Sequence, residues 1–280
     1  LFYVFKRYKF SFSTVWVKRI LSYGFPLIGT GVAVWILNST DRYFLAHYVD
    51  LSAVGIYAVG AKLASIVGFV GGALQISWGP YAMDIQYEKN AKEVYSKVFQ
   101  LYCIANIVLI LAISMFAIDI LKVFTQPDFY SAKAVVPFLC TSVFFTSAYF
   151  IVSIGINLTK KLQHTIWITL LAAGVNIGLN FILTPLFGPV GAAFCIMAAN
   201  FLIFFLTYII SQKYYNVDYR FKKVLLLLLP AASIIFVSYY FNLRLAPRVI
   251  ISSIFFISSG IYVYKGFKDS EEFILLLNKF

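Results

Sequence analysis

Eight long apolar runs, separated by short polar stretches, set the pattern of this 280-residue chain. They fall at residues 20–40, 54–78, 98–120, 134–156, 165–183, 190–210, 224–241 and 249–264. A helix rises about 1.5 Å per residue, so about 20 apolar residues cross the ~30 Å of hydrocarbon in a bilayer. The last two runs are the shortest. A membrane barrel would show ~10-residue stretches of alternating polarity. These runs are longer and continuous, so they predict helices. No polar stretch between them is long enough to fold alone. The longest connection, 81–97, sets Glu88 and Lys92, and Glu93 and Lys97, at helical i,i+4 spacing. It predicts a surface helix leading into the third run.

Composition narrows the class. The chain is 61% hydrophobic and 12% charged, with a mean hydropathy of +0.86. Ordinary soluble domains carry about 25% charged residues. So little charge cannot clothe a 280-residue globule, which excludes a soluble enzyme or a nucleic-acid-binding module despite the net charge of +12. Disorder is excluded because it needs low hydrophobicity. The expectation is an all-α integral membrane protein with about eight spans.

Most of the positive charge has a topological explanation. With the first residues placed in the cytoplasm, one side holds Lys6, Arg7, Lys9, Lys18 and Arg19, then Lys89, Lys92 and Lys97, then Lys160 and Lys161. The same side holds Lys213, Arg220, Lys222 and Lys223, then Lys265, Lys268 and Lys279. The other side holds only Arg42, Lys122, Lys133, Arg244 and Arg248, and Lys62 falls inside a run. Such a bias predicts cytoplasmic ends for this segment, with contact to anionic lipid as a secondary benefit. The opening LFYVFKRYKF has no apolar core followed by a small-residue cleavage site, so it is not a signal peptide. It begins on Leu1 rather than Met, and an upstream portion is expected.

The polar residues of the spans carry the candidate chemistry. Cys103, Cys140 and Cys195 lie in apolar runs without ligand or disulfide spacing and read as small buried hydrophobes. His47 and His164 sit in loops and are assigned to no metal. Asn38, Asp41 and Arg42 cluster where the first span ends, and Asn38 and Arg42 share a helix face. They either anchor the outer interface or form a charged pair at the edge of a cavity. Lys62 lies roughly 12 Å into the second span. Its helical neighbours Gly55, Ala58, Ser65 and Gly72 make a small-residue face broken by Phe69. Lys62 either snorkels outward or faces an aqueous cavity where it would attract an anion. A stripe of Thr165, Thr169, Ala173, Asn176 and Asn180 on the fifth span must turn into the bundle, for inter-helix hydrogen bonds or cavity lining. Pro26, Gly29, Gly31 and Pro230 predict kinks, which recur in alternating-access transporters and in static bundles alike.

Two strings carry a resemblance. Residues 38–62, NSTDRYFLAHYVDLSAVGIYAVGAK, and residues 176–194, NIGLNFILTPLFGPVGAAF, resemble segments of the bacterial lipid-linked oligosaccharide (O-antigen, Wzx-type) flippases. That group shares a superfamily with multidrug exporters of the MATE type. The first string is the more specific to the polysaccharide branch. The resemblance implies a six-helix second lobe over 20–210, two additional helices and a cytoplasmic tail over 211–280, and a basic lead-in over 1–19. It also implies a preceding first lobe, and alternating access around a cationic cavity. The cargo would be an undecaprenyl-pyrophosphate-linked glycan moved across the inner membrane, without a cofactor, and the coupling gradient would be of protons or sodium. Substrate contact is expected at Arg42, Lys62, Asp41, Asn38, Asn176 and Asn180. A cation-coupled drug exporter is the main alternative, disfavoured because Asp41 and Asp119 lie near span ends while the basic Lys62 lies inside. A membrane-embedded glycan polymerase or ligase is disfavoured by the short outer loops.

Overall fold

The computed structural model describes residues 13–161, 163–241 and 245–267. Among the described residues the secondary structure is helical throughout. Helices α1 (Thr14–Tyr48), α2 (Leu51–Asp84) and α3 (Ala91–Phe124) come first. A 3-10 turn (Pro127–Ala134) then leads at a 53° bend into α4 (Val136–Val152). The short α5 (Ile154–Leu158), the 52-residue α6 (Gln163–Tyr214), α7 (Phe221–Tyr240) and α8 (Leu245–Phe267) follow. Every apolar run expected to span is helical. Four helices are individually long and apolar enough to cross a membrane, and the bent pair adds a fifth. The chain is a multi-pass, all-α membrane protein.

Several boundaries differ from expectation, each for a local reason. The first helix does not stop at Thr40 but continues to Tyr48. Asp41 and Arg42 are therefore interior helical positions rather than a terminus. The second helix runs through Pro80 to Asp84, since a membrane bundle tolerates the one lost backbone hydrogen bond. It starts where Asp50, in extended conformation, caps it by accepting from Ala53 N at 2.6 Å. The connection after it is a 3-10 turn (Ile85–Tyr87), not a continuous surface helix. Glu93 and Lys97 pair at 3.1 Å as expected. Glu88 lies ahead of α3 in extended backbone, and Lys92 instead sits 5.0 Å from the Tyr215 ring. The leading residues 1–12 and Arg244, Lys268 and Lys279 lie outside the described residues.

α6 is two antiparallel arms. At Gly188 the backbone leaves the helix, with φ 56° and ψ −135°, a region that favours glycine. Pro185 and Pro189 flank it and withhold amide donors. A Cβ on Gly191 would lie 2.3 Å from the Leu183 carbonyl oxygen, so the turn is closed backbone against backbone. At the other end of the arms His164 Nε2 and Tyr214 Oη share a hydrogen bond of 2.9 Å, with Lys161 Nζ 4.2 Å from the Tyr214 ring. The fifth and sixth expected spans are thus the arms 163–187 and 189–214.

Packing follows the small residues. α2 crosses α4 at Gly60 and Gly71, where a Cβ would come within 2.3 Å of Val135 Cγ2 and 1.9 Å of Ser147 Oγ. Close approach of this kind is how membrane helices gain dispersion contacts when lipid gives no hydrophobic drive. α1 lies along α6, and α4 fills the space between α2, α3 and α6. α7 and α8 pack mainly on α3. Cys103, Cys140 and Cys195 are buried free thiols, as their setting predicts.

Candidate functional site

Asp41 is the centre of the polar architecture. It is 1% exposed, although it sits on a helix of a membrane bundle. Tyr57 Oη on α2 donates to its Oδ2 at 2.6 Å. Asn180 Nδ2 and Asn176 Nδ2, from the first arm of α6, donate to its Oδ1 at 3.0 and 3.4 Å. Thr184 Oγ1 in turn donates to Asn180 Oδ1 at 2.6 Å. Asn176, Asn180 and Thr184 are all 0% exposed. One carboxylate thereby ties three helices together through neutral donors. Among the described residues no cation lies within ion-pairing distance of it.

One side of Asp41 opens on a cleft of about 350 Å³. Asn38, Asp41 and Arg42 of α1 form one wall and Tyr57 to Gln75 of α2 a second, along a face of small residues that includes Ala61, Ala64, Gly68 and Gly72. α4 brings Ser142, Thr146 and Ser147, and the second arm of α6 brings Asn200. Asn200 Nδ2 donates to Ser142 Oγ at 2.8 Å across that corner. The space is polar at one end through Asn38 and Arg42, both exposed, and apolar at Leu139, Val143 and Ile196. It can hold a charged or hydroxyl-rich group beside aliphatic surface.

The six residues expected at the site are distributed unevenly. Asn38, Asp41 and Arg42 line the cleft together. Asn176 and Asn180 form inter-helix hydrogen bonds behind Asp41. Lys62 is exposed and lies outside the cleft. At about 100° per residue it points about 120° away from the face of α2 that lines the cleft. Its neighbour Ser65 bonds back to the Lys62 carbonyl oxygen at 2.6 Å. Tyr57, Gln75, Ser142 and Asn200 had drawn no functional attention in the sequence. Tyr57 was legible only as part of the Val-Gly-Ile-Tyr string, since nothing about one of 20 tyrosines marks it as a carboxylate's donor.

Residues 1–86 match the family model for polysaccharide biosynthesis proteins, and the match includes the Asp41–Arg42 pair and Tyr57. Over 93% of its length the chain superposes on the lipid II flippase MurJ in an inward closed conformation, with a TM-score of 0.58 at 16% identity. The fold is similar to that of MurJ. The resemblance seen in the sequence is borne out at that level. The uncharacterized membrane protein MJ1068 of Methanocaldococcus jannaschii is 25% identical over 242 residues, 82% of this chain. The Lsg locus putative protein 1 of Haemophilus influenzae is 31% identical over 85 residues, 30% of this chain and 21% of its own. The chain covers 46% of MJ1068 and 57% of the MurJ chain, about half the length of each.

Proposed function

We propose that this chain forms one lobe of a transporter that flips a lipid-linked oligosaccharide, carried on undecaprenyl pyrophosphate, across the bacterial inner membrane by alternating access. The observation that carries the reading is the cleft itself. An otherwise apolar bundle keeps a polar space headed by a basic side chain, Arg42, and a hydrogen-bonding amide, Asn38. A charge at bilayer depth costs at least ~2.5–3.5 kcal/mol and persists where it meets a counter-charge or water. The anionic pyrophosphate or acidic sugars of the cargo supply the counter-charge, and the aliphatic wall suits lipid. The facing wall of the cavity comes from the part of the relatives that this chain does not span. Lys62 is exposed on a different face of α2, outside the cleft, and would be a second cationic contact only if the cargo also reaches that face. The ends of the segment lie on the cytoplasmic side, in line with the lysine and arginine bias.

Asp41 suits the coupling step. A carboxylate held only by neutral donors is balanced when it takes up a proton or a sodium ion. Its hydrogen bonds join α1, α2 and α6, so binding there reports on the arrangement of three helices at once.

A drug exporter of the same fold gains one argument from the structure. Asp41 is deep in the bundle rather than at a span end, where a cationic cargo could meet an acid. Against it, Tyr57 and the two amides already occupy that carboxylate. The deciding experiment is surface polysaccharide display by cells carrying the whole protein with Arg42→Ala or Lys62→Ala. Display falls at least tenfold while membrane insertion persists. Full display in both variants removes the cationic contacts from the mechanism, and drug efflux without polysaccharide transport would establish the exporter.

A further inference from the structure

The cleft does not end at Gln75. Gln75 and Phe150 also line a smaller space of about 70 Å³, which continues between Trp78 and Met83 of α2 and Ile154 and Asn157 of α5. None of the described residues that line it is charged. Trp78 is 4% exposed, and Tyr95 holds its ring edge-to-face at 5.5 Å. The indole Nε1 is buried and has no hydrogen-bond partner among the described residues. A buried donor left unpaired costs about 1–3 kcal/mol. An acceptor entering the space would recover that cost. Asn157 gives its Nδ2 to Ser153 Oγ at 3.1 Å, which leaves its Oδ1 as an acceptor. The rest of the wall is apolar.

We propose that this space takes the acetamido group of an N-acetylated sugar, a specificity that rests on reading the chain as a glycan transporter. A water fills about 30 Å³ of liquid, so the space has room for a small substituent and not for a sugar ring. An acetamido group has the matching parts. Its carbonyl oxygen accepts from Trp78 Nε1, its N–H donates to Asn157 Oδ1, and its methyl lies on Phe150, Ile154 and Met83. The ring itself stays at Gln75, in the cleft. A carboxylate finds no cation among the lining residues, so an acidic sugar is not read here. A plain hydroxyl leaves the aliphatic wall unfilled. Trp78 follows Tyr57 on the same helix by about 30 Å of rise. The pocket therefore reads a sugar remote from the pyrophosphate when that group sits at Arg42.

Saturation-transfer NMR on the whole protein, in a detergent without sugar headgroups, reads the contact with N-acetylglucosamine and glucose as probes. The acetyl methyl of N-acetylglucosamine receives the strongest saturation, and glucose receives severalfold less. Trp78→Phe keeps a ring and removes the donor. It lowers the methyl signal about tenfold, while the melting temperature holds or rises because an unpaired N–H has gone. Met83→Trp fills the space from its half-exposed rim and abolishes the signal, which decides the matter if Trp78→Phe does not fold. Equal transfer to both sugars, or a methyl signal that neither variant alters, overturns the assignment. Glycan transport by cells without any methyl contact overturns the pocket alone. A methyl contact in a protein that moves no glycan supports the pocket and overturns only the transporter reading.

Discussion

At Asp41 a carboxylate with 1% exposure accepts three side-chain hydrogen bonds from two other helices. Each donor offsets part of the cost of keeping a charge out of water, and losing one leaves that cost uncovered. Tyr57→Phe therefore destabilises the protein by about 1–3 kcal/mol, read as a lower melting temperature in detergent. Asp41→Asn keeps the shape and removes the charge, so it is stable or more stable while transport is lost. A destabilised Asp41→Asn with transport intact would show the carboxylate to be structural only. The amide half of this constellation was legible in the sequence, because asparagine on a span face needs a partner. The partner was not. Asp41 and Asn176 are 135 positions apart, and the charged pair at 41–42 looked like a helix end. Only the bundle shows that the helix runs on past it.

Elements depend on where backbone meets backbone. The turn between the two arms of α6 requires Gly188 for its positive φ and Gly191 for its contact with the Leu183 carbonyl oxygen. Gly191→Ala puts a Cβ 2.3 Å from an atom that cannot step aside, at a cost of about 1–3 kcal/mol. Gly174→Ala, with nothing within 4 Å, is neutral or mildly stabilising. Thermal melts of the two variants against the parent separate these outcomes, and equal losses at both positions would refute the packing argument. The existence of each helix was legible from apolar run length alone. The choice of packed glycines was not. Gly55, Ala58, Ser65 and Gly72 stood out around Lys62, whereas the crossing with α4 uses Gly60 and Gly71. Helical spacing marks faces but not which neighbour each face meets.

Across the whole molecule, the α7–α8 pair is held to α3 by an ion pair and apolar contact. Arg248 is buried and Asp119 is about a third exposed, so solvent weakens the pair below the value of a fully buried one. Asp119→Asn costs about 1–2 kcal/mol by the same reasoning. Its sharper effect is on the attachment of α8: a disulfide engineered between α3 and α8 forms more slowly in the variant. Unchanged cross-linking would mean that apolar packing alone fixes the pair. The membrane-crossing helices were visible in the sequence as apolar runs. The arrangement of those spans around a cleft was not, since Asn38 and Asn200 share it across 162 positions that no periodicity links.

The separation between Asp41 and its amides also has a meaning in time. At roughly 5–20 residues per second of synthesis, Asn176 emerges roughly 7–27 s after Asp41. Tyr57 emerges 16 residues behind Asp41, within about 1–3 s. Until Asn176 is made, Tyr57 is the one of the three donors to Asp41 that the chain can supply. Tyr57 is thus the chaperone of its own bundle, keeping a charged helix acceptable to lipid until the hairpin of α6 is made.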